Sequence, residues 1–459
     1  MPNQYVSLAG DFTLKHSTSM STLYCLRNGT TYELTADQVE FLQSLDGTNT
    51  VEQILKQYAK TSRVDVLQFI DQLKNISAVE FTNASAPRVL GRNQVPDRRL
   101  EAVHLEASGK CDMKCVHCYQ AEYVKSGEEL SFDEIIRLLD DLQGMQVNNI
   151  GISGGEPLMM SRLADVLSAI EERKMRISAI FSNGLLINGR FIQAVQELRS
   201  QFSLFVSLDS IPGVDFSFRG FSSKDSRKVL ERIVRNIMLL TSKGISVVVN
   251  TVVNMENIDH LDAMYDLVKR MSVSSWRLGF PKMTPEFKNY RATFNVEWGI
   301  IAERCLVLLR RHLANGMPFH LQIEYLFREQ LFEQGFQKLT DNDFVCDYEG
   351  RRSECCVKPN GDVVSCAYCS ELPIGNIKQS SIWNIWYSDK MREVKTVKIG
   401  DVAGCRGCKL RELCGTGCRA NAYFLHGDFY NAKDDYACLA VSFFKRKVAP
   451  LLREYGFAL

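Results

Sequence analysis

Between Leu100 and about Phe280 the apolar positions of this chain come in two alternating rhythms. Short apolar runs, "LEAVHLEA", "NNIGIS", "ISAIFSN", "LFVSLD", "ISVVVNTVV" and "WRLGF", are separated by helix-sized amphipathic stretches such as "SFDEIIRLLDDLQGM" and "RFIQAVQELRSQ". Runs of this length between helical patterns read as strands of an α/β unit with a parallel sheet, open or barrel-like, and active groups at the carboxyl ends of the strands. Six such strands predict a partial (β/α)6 barrel over residues 100–318. Residues 296–316 add one more helix. Beyond about residue 319 the alternation stops and glycine and cysteine become dense, which predicts a separate unit over 319–459.

Residues 1–85 follow a different pattern. "STLYCLRNGTTYEL" gives two alternating runs around Asn28-Gly29, a hairpin signal. "TADQVEFLQSLDG" offers Thr35 as a helix N-cap and Gly47 as a stop. "TVEQILKQYAK" and "RVDVLQFIDQLKNISAVEF" carry apolar residues at helical spacing, so the order predicted is a hairpin and then three helices. A polar, Pro-containing stretch over 86–99 reads as a linker.

Composition narrows the function. The 459 residues carry 55 Lys and Arg against 54 Asp and Glu, so no broad field exists to gather a polyanion or a membrane surface, and nucleic acid and membrane are disfavoured as partners. No cationic segment followed by an apolar one opens the chain, and no run of about 18 apolar residues occurs, so a cytoplasmic protein is expected. Fifteen cysteines are then poor candidates for disulfides. Their short spacings point to metal.

Cys111, Cys115 and Cys118, in "GKCDMKCVHCYQ", follow the first barrel strand. Three thiolates leave one position open on a four-coordinate centre. The spacing C-x3-C-x2-C, with Tyr119 beside the last cysteine, resembles the signature of radical S-adenosylmethionine (SAM) enzymes. That resemblance implies a TIM-barrel-type core and a 4Fe-4S cluster whose free iron binds SAM, with a 5'-deoxyadenosyl radical as the reagent. "SGGEP" (Ser153 to Pro157), "FSNG" (Phe181 to Gly184), "SLDS" (Ser207 to Ser210) and "VNTVVN" (Val249 to Asn254) stand at successive strand ends, as the resemblance requires. It implies a SAM site at Gly154, Gly155, Glu156, Ser182, Asn183, Ser207 and Asn250, with Arg219 pairing the SAM carboxylate.

Further along, C-x14-G-x4-C runs from Cys346 through Gly361 to Cys366. Cys405-x2-Cys408-x5-Cys414-x3-Cys418 and Cys438 follow. The pattern resembles the SPASM extension of peptide-modifying radical SAM enzymes, which implies two auxiliary 4Fe-4S clusters. Cys405, Cys408, Cys414 and Cys438 would hold the distal one, and Cys346, Cys366 and Cys418 the proximal one. The fourth proximal ligand stays open among Cys355, Cys356, Cys369 and no protein ligand. "ECCVKPNGDVVSC" reads as a hairpin: a two-residue loop sets Cys355 opposite Cys366, and a three-residue loop with a bulge makes Cys356 its diagonal neighbour. Cys25 and Cys305 are expected to be ordinary buried thiols.

"YELTADQVEFLQSLDGTNTVEQILKQYAK" and "VLQFIDQLKNISAVEF" resemble the PqqD-like recognition element of ribosomally made, post-translationally modified peptides, with Thr35 for the usual Asn and Gln53 for the usual Glu. The resemblance implies a leader peptide added as a strand within residues 20–34 and leaning on a helix within 63–76. The domain order resembles sactisynthases and ranthipeptide synthases. It implies a radical SAM oxidoreductase that joins cysteine sulfur to carbon in a precursor peptide, fed electrons by a flavodoxin- or ferredoxin-type reductant. Carbon–carbon crosslinking, epimerisation and sulfatase- or quinohemoprotein-type protein maturation use the same parts. A non-catalytic iron-sulfur carrier or sensor would need neither "SGGEP" nor "SLDS". No general base is nameable from the sequence.

Overall fold

The computed structural model describes residues 3–58, 63–88, 90, 94–328, 339–346 and 352–457. Positions 89 and 91–93 of the expected linker lie outside these. In the N-terminal unit the expected hairpin forms from β3 (Ser21–Cys25) and β4 (Thr31–Leu34), and Gly29 takes the positive φ of +79° that the turn needs. The three helices are α1 (Ala36–Gln43), α2 (Val51–Gln57) and α3 (Arg63–Asn75). Thr35 caps α1 in a capping box with Gln38, and Thr50 pairs in the same way with Gln53.

The alternation read from the sequence missed the rest of this unit. β1 (Tyr5–Leu8) pairs with β5 (Asp46–Thr50) and β6 (Val79–Thr82), and β2 (Phe12–His16) pairs with β3. The first helix therefore ends at Gln43 rather than at Gly47. A Cβ on Gly47 would lie 2.2 Å from the Ala86 carbonyl oxygen, so this glycine admits a close backbone crossing instead of stopping a helix. Val6, Leu23, Phe41, Leu42, Ile54 and Ile70 form a core separate from that of the barrel.

All six expected barrel strands form: β7 (Ala102–Glu106), β8 (Asn149–Ser153), β9 (Arg176–Ser182), β10 (Ser203–Ser207), β11 (Val247–Val252) and β12 (Ser275–Gly279). They pair in parallel and in chain order. The sheet does not end there. β13 (His320–Ile323) joins β12 in parallel, and β14 (Phe327–Arg328) follows it. On the other edge β15 (Glu354–Val357) pairs in parallel with β7, followed by β16 (Asp362–Val364) and β17 (Gly375–Asn376). One hydrophobic core runs from Leu105, Ile180 and Val249 in the barrel to Val357, Trp386 and Phe443 beyond it. The cysteine-rich segment is thus annealed to the barrel.

The N-terminal unit is seated at the amino ends of the barrel strands. Tyr24 donates to Asn149 Oδ1 (2.9 Å), the Gln201 N–H donates to the Arg27 carbonyl (2.7 Å), and the His16 N–H donates to Gln146 Oε1 (2.7 Å). Lys15 Nζ, buried, donates to the Gln146 and Val147 carbonyls at 3.2 Å each and lies over the Tyr24 ring. These contacts offset its lost hydration only in part. Burial, helped by Arg99, pushes the amine down to about 7. The folded pKa lies below the unfolded one of 10.5, so the unfolded chain binds the extra proton between pH 7 and 10.5, and stability rises with pH across that window. Lys15→Met is expected to flatten this rise by on the order of a few kcal/mol. Thermal unfolding of the full chain at pH 7 and pH 9.5 checks this, and an unchanged pH slope would contradict it.

Candidate active site

Cys111, Cys115 and Cys118 lie, as expected, in the loop leaving the carboxyl end of β7, each partly buried. The loop is held by the segment after β8. The Gly155 N–H donates to the Ser108 carbonyl (2.7 Å) and the Glu156 N–H to the Lys110 carbonyl (2.8 Å). A Cβ would fall 2.4 Å from the Ser108 oxygen at Gly154 and 2.3 Å from the Lys110 oxygen at Gly155. The two glycines let "SGGEP" lie flat on the cysteine loop.

Glu156 is fully buried and accepts from the Ser182 hydroxyl (2.9 Å), the Asn183 N–H (2.7 Å) and the Leu158 N–H (3.1 Å). Burial outweighs these donors and pushes its carboxyl up to about 7. Asn183 Nδ2 donates to Asp112 Oδ1 (2.6 Å), which carries the network back to the cysteine loop. Glu156, Ser182 and Asn183 therefore join the ends of β8 and β9 to the loop. Ser207 and Asn250 are register neighbours at the carboxyl ends of β10 and β11, both half-buried.

Arg219 has a carboxylate partner within the chain. Its Nε donates to the fully buried Asp209 (2.5 Å), and Nη1 points at Cys115 Sγ (3.8 Å). Burial would lower the guanidinium's pKa, but Asp209 and then Cys115 outweigh it and hold it charged. Burial raises the Cys115 thiol, and Arg219 is the main opposing influence. A cation there favours the thiolate, the form that ligates iron. Asp209, inside the quoted "SLDS", was missed because an aspartate at a strand end looks like a turn residue. His117 stacks on Phe218 at 4.1 Å and 6°, and burial holds it neutral, with its pKa well below 6.5.

The hairpin of β15 and β16 turns through Pro359, Asn360 and Gly361. Gly361 has φ +93°, and Cys356 stands opposite Val364. This is the three-residue loop with a bulge, which makes Cys356 the diagonal neighbour of Cys366. Burial pushes the Cys355 thiol up to about 12, with Lys395 opposing it, and raises the Cys356 thiol, on which Glu106, Lys358, Cys355 and Cys366 also act. Cys369 instead joins the group. A hydrogen bond with Cys366 is the largest influence raising its thiol, ahead of burial, and Cys418 and Cys346 act on it as well. Burial pushes the Cys346 thiol up to about 11, with Cys418 and Cys366 adding to it. The thiols of Cys346, Cys366, Cys369 and Cys418 thus act on one another. Cys405, Cys408, Cys414 and Cys438 form a second group, in which Cys414 is raised to about 11 by burial first and by the other three thiols. Cys408 and Cys438 are exposed, whereas Cys25 and Cys305 are buried apart from both groups.

Among the described residues, no three Cys, His, Asp or Glu side chains are arranged as a ready metal site. What the fold supplies is grouping. Five of the twelve buried polar atoms without partners among the described residues lie on these loops: Asp112 Oδ2, His117 Nδ1 and Gln120 Oε1 around the first three cysteines, and Ser370 Oγ and Thr416 Oγ1 beside Cys369 and Cys418. Such orphans are rare in folded proteins and fit sites built for a further group.

Two ion pairs not foreseen from the sequence, one fully buried and one part-buried, stand beside the cysteine loops. Lys358 Nζ donates to Glu106 Oε2 (2.6 Å) and to the Ala367 carbonyl (2.6 Å), while Tyr119 donates to Glu106 Oε1 (2.8 Å). The Tyr119 and Tyr368 rings meet at 4.8 Å. Lys282 pairs with Glu324 beyond the ends of β12 and β13.

Residues 105–268 match the Radical SAM superfamily, and residues 346–409 match SPASM, an iron-sulfur cluster-binding domain. The chain carries a radical SAM core followed by a SPASM domain, and its cofactors are SAM and 4Fe-4S clusters, one that binds SAM and the others auxiliary. Fe-coproporphyrin III synthase of Methanosarcina barkeri is 25% identical over 351 residues, covering 72% of this chain and 85% of that protein. PqqA peptide cyclase of Granulibacter bethesdensis is 21% identical over 348 residues, covering 70% and 83%. Streptococcus suis SuiB, solved bound to its precursor peptide SuiA, shares the fold with a TM-score of 0.67 at 14% identity, covering 94% of this chain and 99% of that chain. The uncovered 6% of 459 residues is about 28, fewer than the N-terminal unit holds, so the shared fold includes part of that unit.

Proposed function

We propose that this protein is a peptide maturase that uses radical chemistry to form a thioether between a cysteine sulfur and a carbon of a ribosomally made precursor. The observation that carries the reading is the N-terminal unit: it has its own core, presents β4 as the outer strand of the sheet β2-β3-β4, and is fixed to the barrel by buried hydrogen bonds. An outer strand offers unpaired backbone groups to an extended peptide. The fold shared with SuiB, whose structure holds a precursor peptide, reaches into this unit. Carbon–carbon crosslinking and epimerisation remain the alternatives within the peptide reading.

The working division is 1–85 for leader binding, 86–99 as linker, 100–318 as the radical core and 319–459 as the auxiliary domain. In this reading Cys111, Cys115 and Cys118 hold the SAM-binding cluster, and Cys405, Cys408, Cys414 and Cys438 the distal one. Cys346, Cys366, Cys418 and Cys369 hold the proximal cluster, with Cys369 preferred to Cys355 and Cys356. When bound, SAM with its reduced cluster supplies a hydrogen-abstracting carbon radical. The chain's own part is to bind and shield: Arg219 favours the thiolate of Cys115, Ser207 and Asn250 offer polar atoms at the barrel mouth, and Phe181, stacked on Phe205 at 4.5 Å, gives the inner wall an apolar surface. The protein is expected to act in the cytoplasm with a flavodoxin- or ferredoxin-type donor. No described helix is long and apolar enough to cross a membrane.

A second reading is a tetrapyrrole-modifying enzyme, favoured by the identity to Fe-coproporphyrin III synthase. That match leaves more than a quarter of this chain without a counterpart, so the peptide reading is preferred. Reconstituted protein, given SAM and dithionite, is expected to release 5'-deoxyadenosine faster with a leader-bearing cysteine peptide than with iron coproporphyrin. The reverse order would overturn the peptide reading, and no 5'-deoxyadenosine with either would leave the carrier or sensor class.

A further inference from the structure

Lys282 occupies an unusual place for a lysine. It follows β12 at the carboxyl end of the barrel, its side chain is about nine-tenths buried, and its amine is paired with Glu324 beyond β13. The amine sits 5.6 Å from the centre of the Tyr325 ring and 5.8 Å from that of Tyr368, the residue before Cys369. Glu324 also accepts from the Phe280 N–H (3.1 Å), so both partners are fixed.

The next residue locks this pair against the cysteine group. Tyr325 has a φ of +63°, a left-handed conformation that costs a non-glycine residue of order 1 kcal/mol or more. Its hydroxyl donates to Asp434 Oδ2 (2.7 Å) and accepts from Asn421 Nδ2 (2.6 Å), and the same Asp434 oxygen accepts from the Cys418 N–H (2.8 Å). Gly417 is required beside it, since a Cβ there would lie 2.7 Å from the Asp434 Cβ. The turn carrying Glu324 and the loop carrying Cys418 are therefore held on one carboxylate. Among the charges acting on Cys418, Lys282 is the largest, and Glu324 is not among the leading ones.

We infer that Lys282 is a positioning residue of a particular kind: a fixed positive charge placed against the Cys346, Cys366, Cys369 and Cys418 group to raise the reduction potential of the iron-sulfur centre held there. The inference rests on the proximal-cluster assignment made above. Iron-sulfur potentials follow net charge, hydrogen bonding to sulfur and solvent exposure. A cation beside a thiolate-ligated centre favours the extra electron, and burial keeps that influence from being screened. Glu324 holds the cation in place and its negative charge opposes it.

The test is an EPR-monitored redox titration of full-length, reconstituted protein. Lys282→Met is expected to shift the midpoint of one auxiliary signal to lower potential, Glu324→Gln to shift the same signal to higher potential, and Lys282→Arg to stay near wild type. Opposite shifts from the two halves of one ion pair are not produced by local damage, which would move both alike or lose iron from both. Unmoved midpoints, or shifts of one sign, with normal iron content overturn the inference while leaving the cluster assignment intact. Unchanged iron and auxiliary signals in Cys418→Ala would overturn the assignment and the inference with it. Should Lys282→Met fail to fold, Glu324→Gln and Lys282→Arg still decide, since an unmoved Glu324→Gln midpoint contradicts the inference.

Discussion

Cys115→Ala, in the full-length reconstituted protein, is expected to lose the iron of the SAM-binding centre and with it all release of 5'-deoxyadenosine. Among the described residues the three cysteines of the loop after β7 supply the thiolates there, and a centre that already leaves one iron open has no ligand to spare. Arg219, held by the buried Asp209, is aimed at the Cys115 sulfur at 3.8 Å. Removing the sulfur takes away the ligand and leaves that buried cation with Asp209 as its partner. Cys111→Ala and Cys118→Ala are expected to give the same loss. Cys305→Ala is the control, since this thiol is buried at 0% exposure in the apolar core, and its replacement should leave iron content and SAM cleavage unchanged. Iron analysis and chromatography of the nucleoside product check the set, and undiminished cleavage in the loop variants would contradict the assignment.

Lys358→Met is expected to destabilise the fold by about 3–5 kcal/mol, because it strands Glu106 as an unpaired buried carboxylate. Both side chains are at 0% exposure, and the pair spans the junction of β7 and β15. The loss is more than thermal. Tyr119, next to Cys118, hangs on one oxygen of Glu106, and Lys358 itself holds the carbonyl between Cys366 and Tyr368. Both cysteine loops thus depend on one ion pair, and the melting temperature should fall by about 5 °C with lower iron retention. Replacing both partners, Glu106→Gln with Lys358→Met, should recover much of the stability, since removing a buried pair together avoids the stranded charge. Equal melting of the single and double variants would contradict this account.

The barrel was legible because six apolar runs recur with helices between them, and because parallel strands buried on both faces read as continuous apolar stretches. The extension of the sheet was not. β13 is four residues, and β15 is a run of Glu354, Cys355, Cys356 and Val357 that looks like metal chemistry before it looks like a strand. In the N-terminal unit, "DGTNT" carries turn residues throughout, yet Asp46–Thr50 is a strand because β1 pairs with it. Tertiary pairing overrode local propensity there.

The site divides in the same way. Cysteine spacing marked the loops to which the clusters are assigned, since ligand intervals are local. The charged residues that serve those loops were invisible because their partners are remote: Lys358 and Glu106 are 252 residues apart, and Lys282 and Glu324 are 42 apart. A lysine before Pro-Asn-Gly reads as part of a solvated turn until the fold buries it. Arg219 shows the converse. Its charge suggested a partner carboxylate, and the fold supplies Asp209, ten residues away, in place of a cofactor group.

The most direct examination of the peptide reading is the mass of the peptide itself. A leader-bearing precursor with cysteine in its core, incubated with reconstituted protein, SAM and dithionite, should lose one pair of hydrogens per link formed and resist thiol alkylation at the linked cysteine. A peptide recovered at its starting mass with every thiol still alkylable, while 5'-deoxyadenosine accumulates, would contradict thioether formation.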